Sequence, residues 1–225
     1  MKKFNLLIFA VIGIILLTYC GCNTGQKKTR SILHNGIDLS VESGEYWLGK
    51  MKVFIFSVSR TPQMAAWIES DHGDYVTTII VTNKNARKKW MNAPKDGRPE
   101  ALPVWNNKIK NNSAQIDSVT SATSKKGVNV EVDNSSLLNG REYSVYLEIN
   151  HSFDYNDQWT ENNSGVNGQP SLIYHAKFIK GVPGITELKP IGYGSVDGSD
   201  GDIVNKLDGM TTALKIIKNA YIIVD

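Results

Sequence analysis

The sequence predicts an all-β protein: an immunoglobulin-like β-sandwich of about seven to eight strands with little helix. Three observations lead there. Apolar residues recur at every second position in several short runs, which is the period of a half-buried strand. Gly, Asn and Asp separate those runs, as turns require. No stretch combines a long 3.6-residue apolar period with helix caps. Short strands with turns between them are the pattern of two packed sheets.

The elements follow in chain order. "MKVFIFSVSR" (51–60) is a continuous apolar run, expected as a central strand buried on both faces. "QMAAWIES-DHGD-YVTTIIVTN" reads as two strands joined by a tight turn containing Gly73. "GVNVEVDN" alternates Val128, Val130 and Val132, and "REYSVYLEIN" alternates Tyr143, Val145, Leu147 and Ile149 after a turn at Leu138, Asn139 and Gly140. "SLIYHAKFI" and "ALKIIKNAYIIVD" are further strands. "NARKKW" and the segment after Trp105 offer at most a short turn of helix each. "DYNDQWTENNSGVNGQP" and "GYGSVDGSDGDIVNKLDG" read as long polar loops.

The N-terminus sets the compartment. Lys2 and Lys3 precede a run from Leu6 to Leu17 broken only by Gly13. The run is shorter than the roughly 20 residues that span a bilayer, so it reads as an export signal. Cys20 and Cys22, the two cysteines of the chain, follow at once. This arrangement resembles the lipobox of bacterial lipoproteins, in which a Cys sulfur receives diacylglycerol. Gly21 before Cys22 favours Cys22, while Leu17 three before Cys20 keeps Cys20 as the alternative. Two acyl chains hold a protein on a membrane where one is marginal. The expected organisation is a signal peptide over 1–21, a flexible tether over 22–36 and one β-sandwich domain over 37–225. Cleavage before Cys22 removes Lys2 and Lys3, so the formal charge falls from +3 to +1. That balance gives no footprint for nucleic acid. An acylated Cys22 leaves no second Cys for a disulfide, so the core alone holds the fold.

Conventional catalytic and metal patterns are weak. "GYGSVDG" is not a dinucleotide-binding loop, and no helix follows it. Asp197, Asp200, Asp202 and Asp208 lack the EF-hand spacing. His34, His72, His151 and His175 are scattered; His151, Asp154 and Asp157 share a loop at loose metal-ligand spacing, better read as surface. Lys84, Arg87, Lys88 and Lys89 read as a solvated turn. No G-x-S-x-G is present, and the chain is not expected to be an enzyme.

One order of motifs runs through the chain: "AAWIESDHGDYVTTIIVTNK", "RKKW", "RPEALPVW", "IDSVTSATSKKG", "GREYSVYLEIN", "QPSLIYHA" and "TTALKIIKNAYIIV". It resembles the bacterial exported family catalogued as domain of unknown function 2271. Its D-x-x-[ST]-G-A-T segment is similar to the sequence that flavin transferases read in exported flavoproteins, where the last Thr is joined to the phosphate of FMN. Asp117, Thr120, Ala122 and Thr123 match, and Ser121 stands where Gly is usual. The resemblance implies Thr123 as the FMN acceptor, a flavin transferase and an envelope redox partner, with Trp90 and Trp105 as rings to stack on the flavin. The residues themselves also allow a plain turn, with Asp117 bonding nearby amides. Two functional readings follow, both anchored in the envelope and facing the periplasm or the cell exterior. One is a redox-associated module carrying covalent FMN. The other is a non-enzymatic binding module that holds a glycan or partner protein with the loops near Trp159 and Gly198.

Overall fold

A computed structural model of the chain describes residues 36–53, 56–82, 98–112, 119–121 and 124–225. The signal, residues 22–35 of the tether, Cys20, Cys22, His34, Lys84, Arg87, Lys88, Lys89, Asp117, Ala122 and Thr123 lie outside them. Among the described residues there are twelve strands and two helices: β1 (Ile37–Ser43), β2 (Gly49–Val53), β3 (Phe56–Arg60), β4 (Gln63–Ser70), β5 (Tyr75–Thr82), α1 (Pro103–Asn112), β6 (Val119–Ser121), β7 (Gly127–Glu131), β8 (Glu142–Asn150), α2 (Glu161–Ser164), β9 (Leu172–Ile179), β10 (Gly184–Glu187), β11 (Lys189–Tyr193) and β12 (Ile217–Val224). Ten of the strands make two sheets, of order β10-β12-β1-β7 and β11-β9-β8-β4-β5-β6; β2 and β3 form a separate ribbon.

The two sheets bury one face of each against the other. Ile37, Leu39 and Val41 of β1 and Ala220, Ile222 and Val224 of β12 meet Met64, Ala66 and Ile68 of β4, Val145, Leu147 and Ile149 of β8, and Leu172, Tyr174 and Phe178 of β9. These are the alternate positions of each strand, so the period-two pattern becomes the core. Full burial of each Val, Leu, Ile, Met or Phe among them contributes about 1.5–3 kcal/mol.

The six-stranded sheet also buries its other face. Ala65, Trp67, Val81 and Ile173 pack there with Leu102, Val104 and Trp105. This double burial explains "MAAWI" in β4, an unbroken apolar run in a central strand. The cover is α1, and its position follows from topology. β6 pairs parallel with β5, as Val81↔Thr120 and Thr82↔Ser121, while the other ladders are antiparallel. A parallel pair needs a crossover, and the crossover from β5 to β6 carries α1.

The mainly β, sandwich-like fold agrees with the sequence expectation, and several details differ. The strands outnumber the expected seven to eight: β6, β10 and β11 are edge strands of three to five residues, and β1, a seven-residue strand between β12 and β7, follows the segment read as a tether. Residues 51–60 are not one central strand: Val53 pairs with Phe56 and Gly49 with Arg60, so the chain reverses on itself. The run holds no Gly, Pro, Asn or Asp to announce that reversal. The segment at Trp105 is a ten-residue helix rather than a turn. Its polar sequence hides it, because it is held by contacts at its first turn. The β4–β5 hairpin is as expected, closed by Ser70 N donating to Asp74 O at 2.8 Å with Gly73 at φ 83°.

Candidate functional site

The motif residues come first. Thr120 and Ser121 lie on β6, the last strand of the six-stranded sheet, and the backbone carbonyl of Ser124 accepts the indole N–H of Trp47 at 2.8 Å. Trp47 itself is buried, 2 % exposed, between the exposed Tyr46 and Leu48.

Tyr46 and Leu48 line a cavity of about 440 Å³ with Glu45, Gly49, Arg60, His151, Ser152, Phe153 and Asp154. The ends of β3 and β8 and the loops after β1 and β8 build it. His151 Nε2 lies 3.1 Å from the carbonyls of both Tyr46 and Trp47, so that nitrogen carries the proton and donates. Burial holds the imidazole below its ordinary value, the two carbonyls oppose this, and Arg60 adds to it. The ring leaves no room at residue 49: a Cβ there would meet it at 2.9 Å, which is why glycine stands at that position.

Two guanidinium groups converge on Ser152. Arg98 donates to Ser152 Oγ at 2.8 Å, to Glu100 at 2.7 Å and to Asn167 Oδ1 at 2.9 Å. Arg60 donates to the Ser152 carbonyl at 3.2 Å and lies 5.1 Å from the centre of the Phe153 ring. Burial and the neighbouring Arg98 both lower the Arg60 pKa, yet a guanidinium stays charged at neutral pH.

Phe153 is held in the left-handed region at φ 62°, the one non-glycine residue with positive φ among those described. That conformation costs a phenylalanine about 1–3 kcal/mol and persists only when its surroundings fix it. They do. Phe153 N donates to Val166 O at 2.8 Å, Asp154 N to Asn167 O at 3.2 Å, and Gln169 N to Asp154 O at 2.8 Å. The Asp154 carboxylate accepts from Gln169 Nε2 at 2.8 Å and from Thr212 Oγ1 at 2.6 Å, and burial pushes its pKa up. The Phe153 ring is nonetheless 43 % exposed at the cavity.

The outer face of the six-stranded sheet is a second cluster of aromatic and charged groups. Glu148 is fully buried and accepts from Val104 N at 3.2 Å, Trp105 N at 2.8 Å and Ser171 Oγ at 2.6 Å. It serves as an acceptor for the first amides of α1, which have no partner within the helix. Burial pushes its carboxyl up to about 7, against the pull of those three donors. Trp105 is fully enclosed, with Nε1 donating to Thr78 Oγ1 at 3.0 Å. It therefore offers no face to a flavin, contrary to the stacking role expected of it; Trp90 lies outside the described residues.

The remaining expectations are placed as follows. His151 and Asp154 face their own partners, and among the described residues no group of three His, Cys, Asp or Glu is arranged to hold a metal ion. Asp197 and Asp200 accept backbone amides two residues on, at 3.0 Å each, as solvated turns do. Trp159, expected as part of a glycan-holding loop, packs on the core edge-on to Tyr193 at 5.6 Å. Arg60, Tyr46 and Phe153 were not singled out from sequence. Nothing local marks them; the nearest sequence signal is an aromatic beside "HS" in an otherwise polar loop.

The model of the family described as "Predicted periplasmic protein (DUF2271)" matches residues 56–151. The match runs from β3 through β8 and takes in Arg60, Arg98, the flavin-type motif and Glu148, but stops short of "QPSLIYHA" and "TTALKIIKNAYIIV". No curated protein and no solved structure matches the chain.

Proposed function

We propose that the protein is a lipid-anchored envelope module, held through Cys22 and facing the periplasm or the cell exterior, that carries FMN covalently on Thr123. It has no catalytic machinery of its own and serves an envelope redox partner after modification by a flavin transferase. The observation that carries this reading is the placement of the motif's flanks. Ser121 ends β6, the edge strand of the six-stranded sheet, and the Ser124 carbonyl accepts from Trp47, so both described flanks of the motif are anchored at the sandwich. A transferase needs a reachable hydroxyl with small neighbours, and Ser121, Ala122 and Ser124 are small. Bound FMN supplies one- or two-electron transfer, and the phosphoester keeps the cofactor from being lost outside the cytoplasm. The match to a family described as periplasmic supports the compartment.

The test is export of the full chain together with a flavin transferase, read by intact mass and visible absorbance. The expected result is one added FMN unit per chain, abolished by Thr123→Ala with the fold unchanged. Thr120→Ala is expected to slow the modification and Ser121→Gly to improve it. A colourless chain of unmodified mass, under conditions that flavinylate a known substrate, overturns the reading.

A further inference from the structure

The cavity at the sandwich end has features that the FMN reading does not use. Its lining contains one cation, Arg60, and among the described residues no carboxylate pairs with it. The two carboxylates that share the lining are engaged elsewhere: Glu45 with Lys215 at 3.0 Å, and Asp154 with Gln169 and Thr212. Arg98, which faces the same serine, is neutralised by Glu100. A partly buried guanidinium with a single carbonyl acceptor has unused donors in a fork that suits a carboxylate or phosphate. Beside it stand three apolar side chains left open: Tyr46 at 40 %, Leu48 at 36 % and Phe153 at 43 % exposure. Phe153 keeps its ring there by a strained backbone, and an observed strain of this kind is a reason to look for function. The volume, about 440 Å³, is in the range of small-ligand sites.

We infer that this cavity binds a small aromatic anion, a planar ring bearing a carboxylate or phosphate, with Arg60 on the anionic group and Phe153 and Tyr46 against the ring. Glu45 is paired with Lys215 and the Asp154 carboxylate is turned to Gln169 and Thr212, so neither occupies Arg60, and the Arg60–Arg98 repulsion is relieved when the anion arrives. Phe153 is spent on binding and not on folding, since glycine is the residue its φ favours.

The probe is 4-hydroxybenzoate, titrated calorimetrically into the full-length chain in detergent without FMN. The controls are 4-hydroxybenzyl alcohol, which keeps the ring and lacks the charge, and acetate, which keeps the charge and lacks the ring. The benzoate is expected to bind at least about tenfold tighter than either, the discrimination one charge-assisted hydrogen-bond pair supplies. Arg60→Gln is expected to erase the preference over the neutral ring. Phe153→Gly is expected to weaken binding at least about tenfold while leaving Tm unchanged or raised. That combination separates a binding ring from a structural one. Absence of benzoate binding at millimolar concentration, an unchanged preference in Arg60→Gln, or a lowered Tm with intact binding in Phe153→Gly each overturns the inference.

Discussion

The outer face of the six-stranded sheet and the open sandwich end use the same residue types in opposite ways. Under α1, the buried indoles and carboxylates each have polar partners. Trp105 Nε1 has Thr78, Trp67 Nε1 has Glu69 at 2.8 Å, Glu69 has Lys108 at 3.0 Å, and Glu148 has three donors. At the cavity, Tyr46 and Phe153 are exposed and Arg60 keeps unused donors. The closed region ties a crossover helix to a sheet. The open region holds polar groups and rings rigidly without satisfying them internally, which leaves free energy available for a ligand.

The largest test of that contrast compares one ring from each region. Trp105→Ala removes a fully enclosed indole and is expected to cost about 4 kcal/mol, read as a lower midpoint in denaturant. Tyr46→Ala removes an exposed ring and should stay within about 0.5 kcal/mol. Similar losses at the two positions would break the distinction.

A smaller effect probes the acid under the helix. The folded Glu148 carboxyl holds its proton up to about 7, whereas the unfolded group releases it near 4.5. Between those values the folded state binds more protons. Its contribution is therefore full below about 4.5 and is lost as pH rises to about 7, by roughly 3 kcal/mol. His151 and His175 act in the other direction: burial holds both below the usual imidazole value, so their contribution is lost as pH falls. Glu148→Gln keeps both histidines and removes only the carboxyl. The stability difference between wild type and Glu148→Gln should shrink as pH rises from 5 to 8. A difference that does not change with pH would mean that the carboxyl titrates alike in both states.

The core between the two sheets was largely legible in the sequence; the helix-covered outer face and the open end were not. Period-two alternation in β8 named its four inner residues, and the hairpin at Gly73 was marked by its turn chemistry. Those signals are local. The helix at Pro103 escaped because its stability comes from Glu148, a residue 45 positions later in the chain from Pro103, as well as from Trp105 packed on β4 and β5. The β2–β3 reversal escaped because its run has no turn residue. The cavity escaped because its walls come from residues 45–49, 60 and 151–154, which only the fold brings together. The motif at Thr123 is the converse case. It was read from sequence alone, and the structure constrains only its flanks.

The smallest prediction concerns two indole N–H groups. Trp47 Nε1 donates to the Ser124 carbonyl, while the buried Nε1 of Trp159 has no acceptor among the described residues. Replacement by phenylalanine deletes the same N–H and the same extra ring carbon atoms at both positions. At Trp47 it also removes a hydrogen bond, a net loss of about 1 kcal/mol, because the bond spans 77 residues and holds the segment after the motif. At Trp159 it removes an unsatisfied donor, whose desolvation cost disappears with it. Trp159→Phe should thus be the milder change by about 1 kcal/mol, and only Trp47→Phe should speed hydrogen exchange at residues 124–127. Equal stability losses with unchanged exchange would mean that the Ser124 segment is held without Trp47. The tie between the cavity wall and the motif would then have no energetic weight.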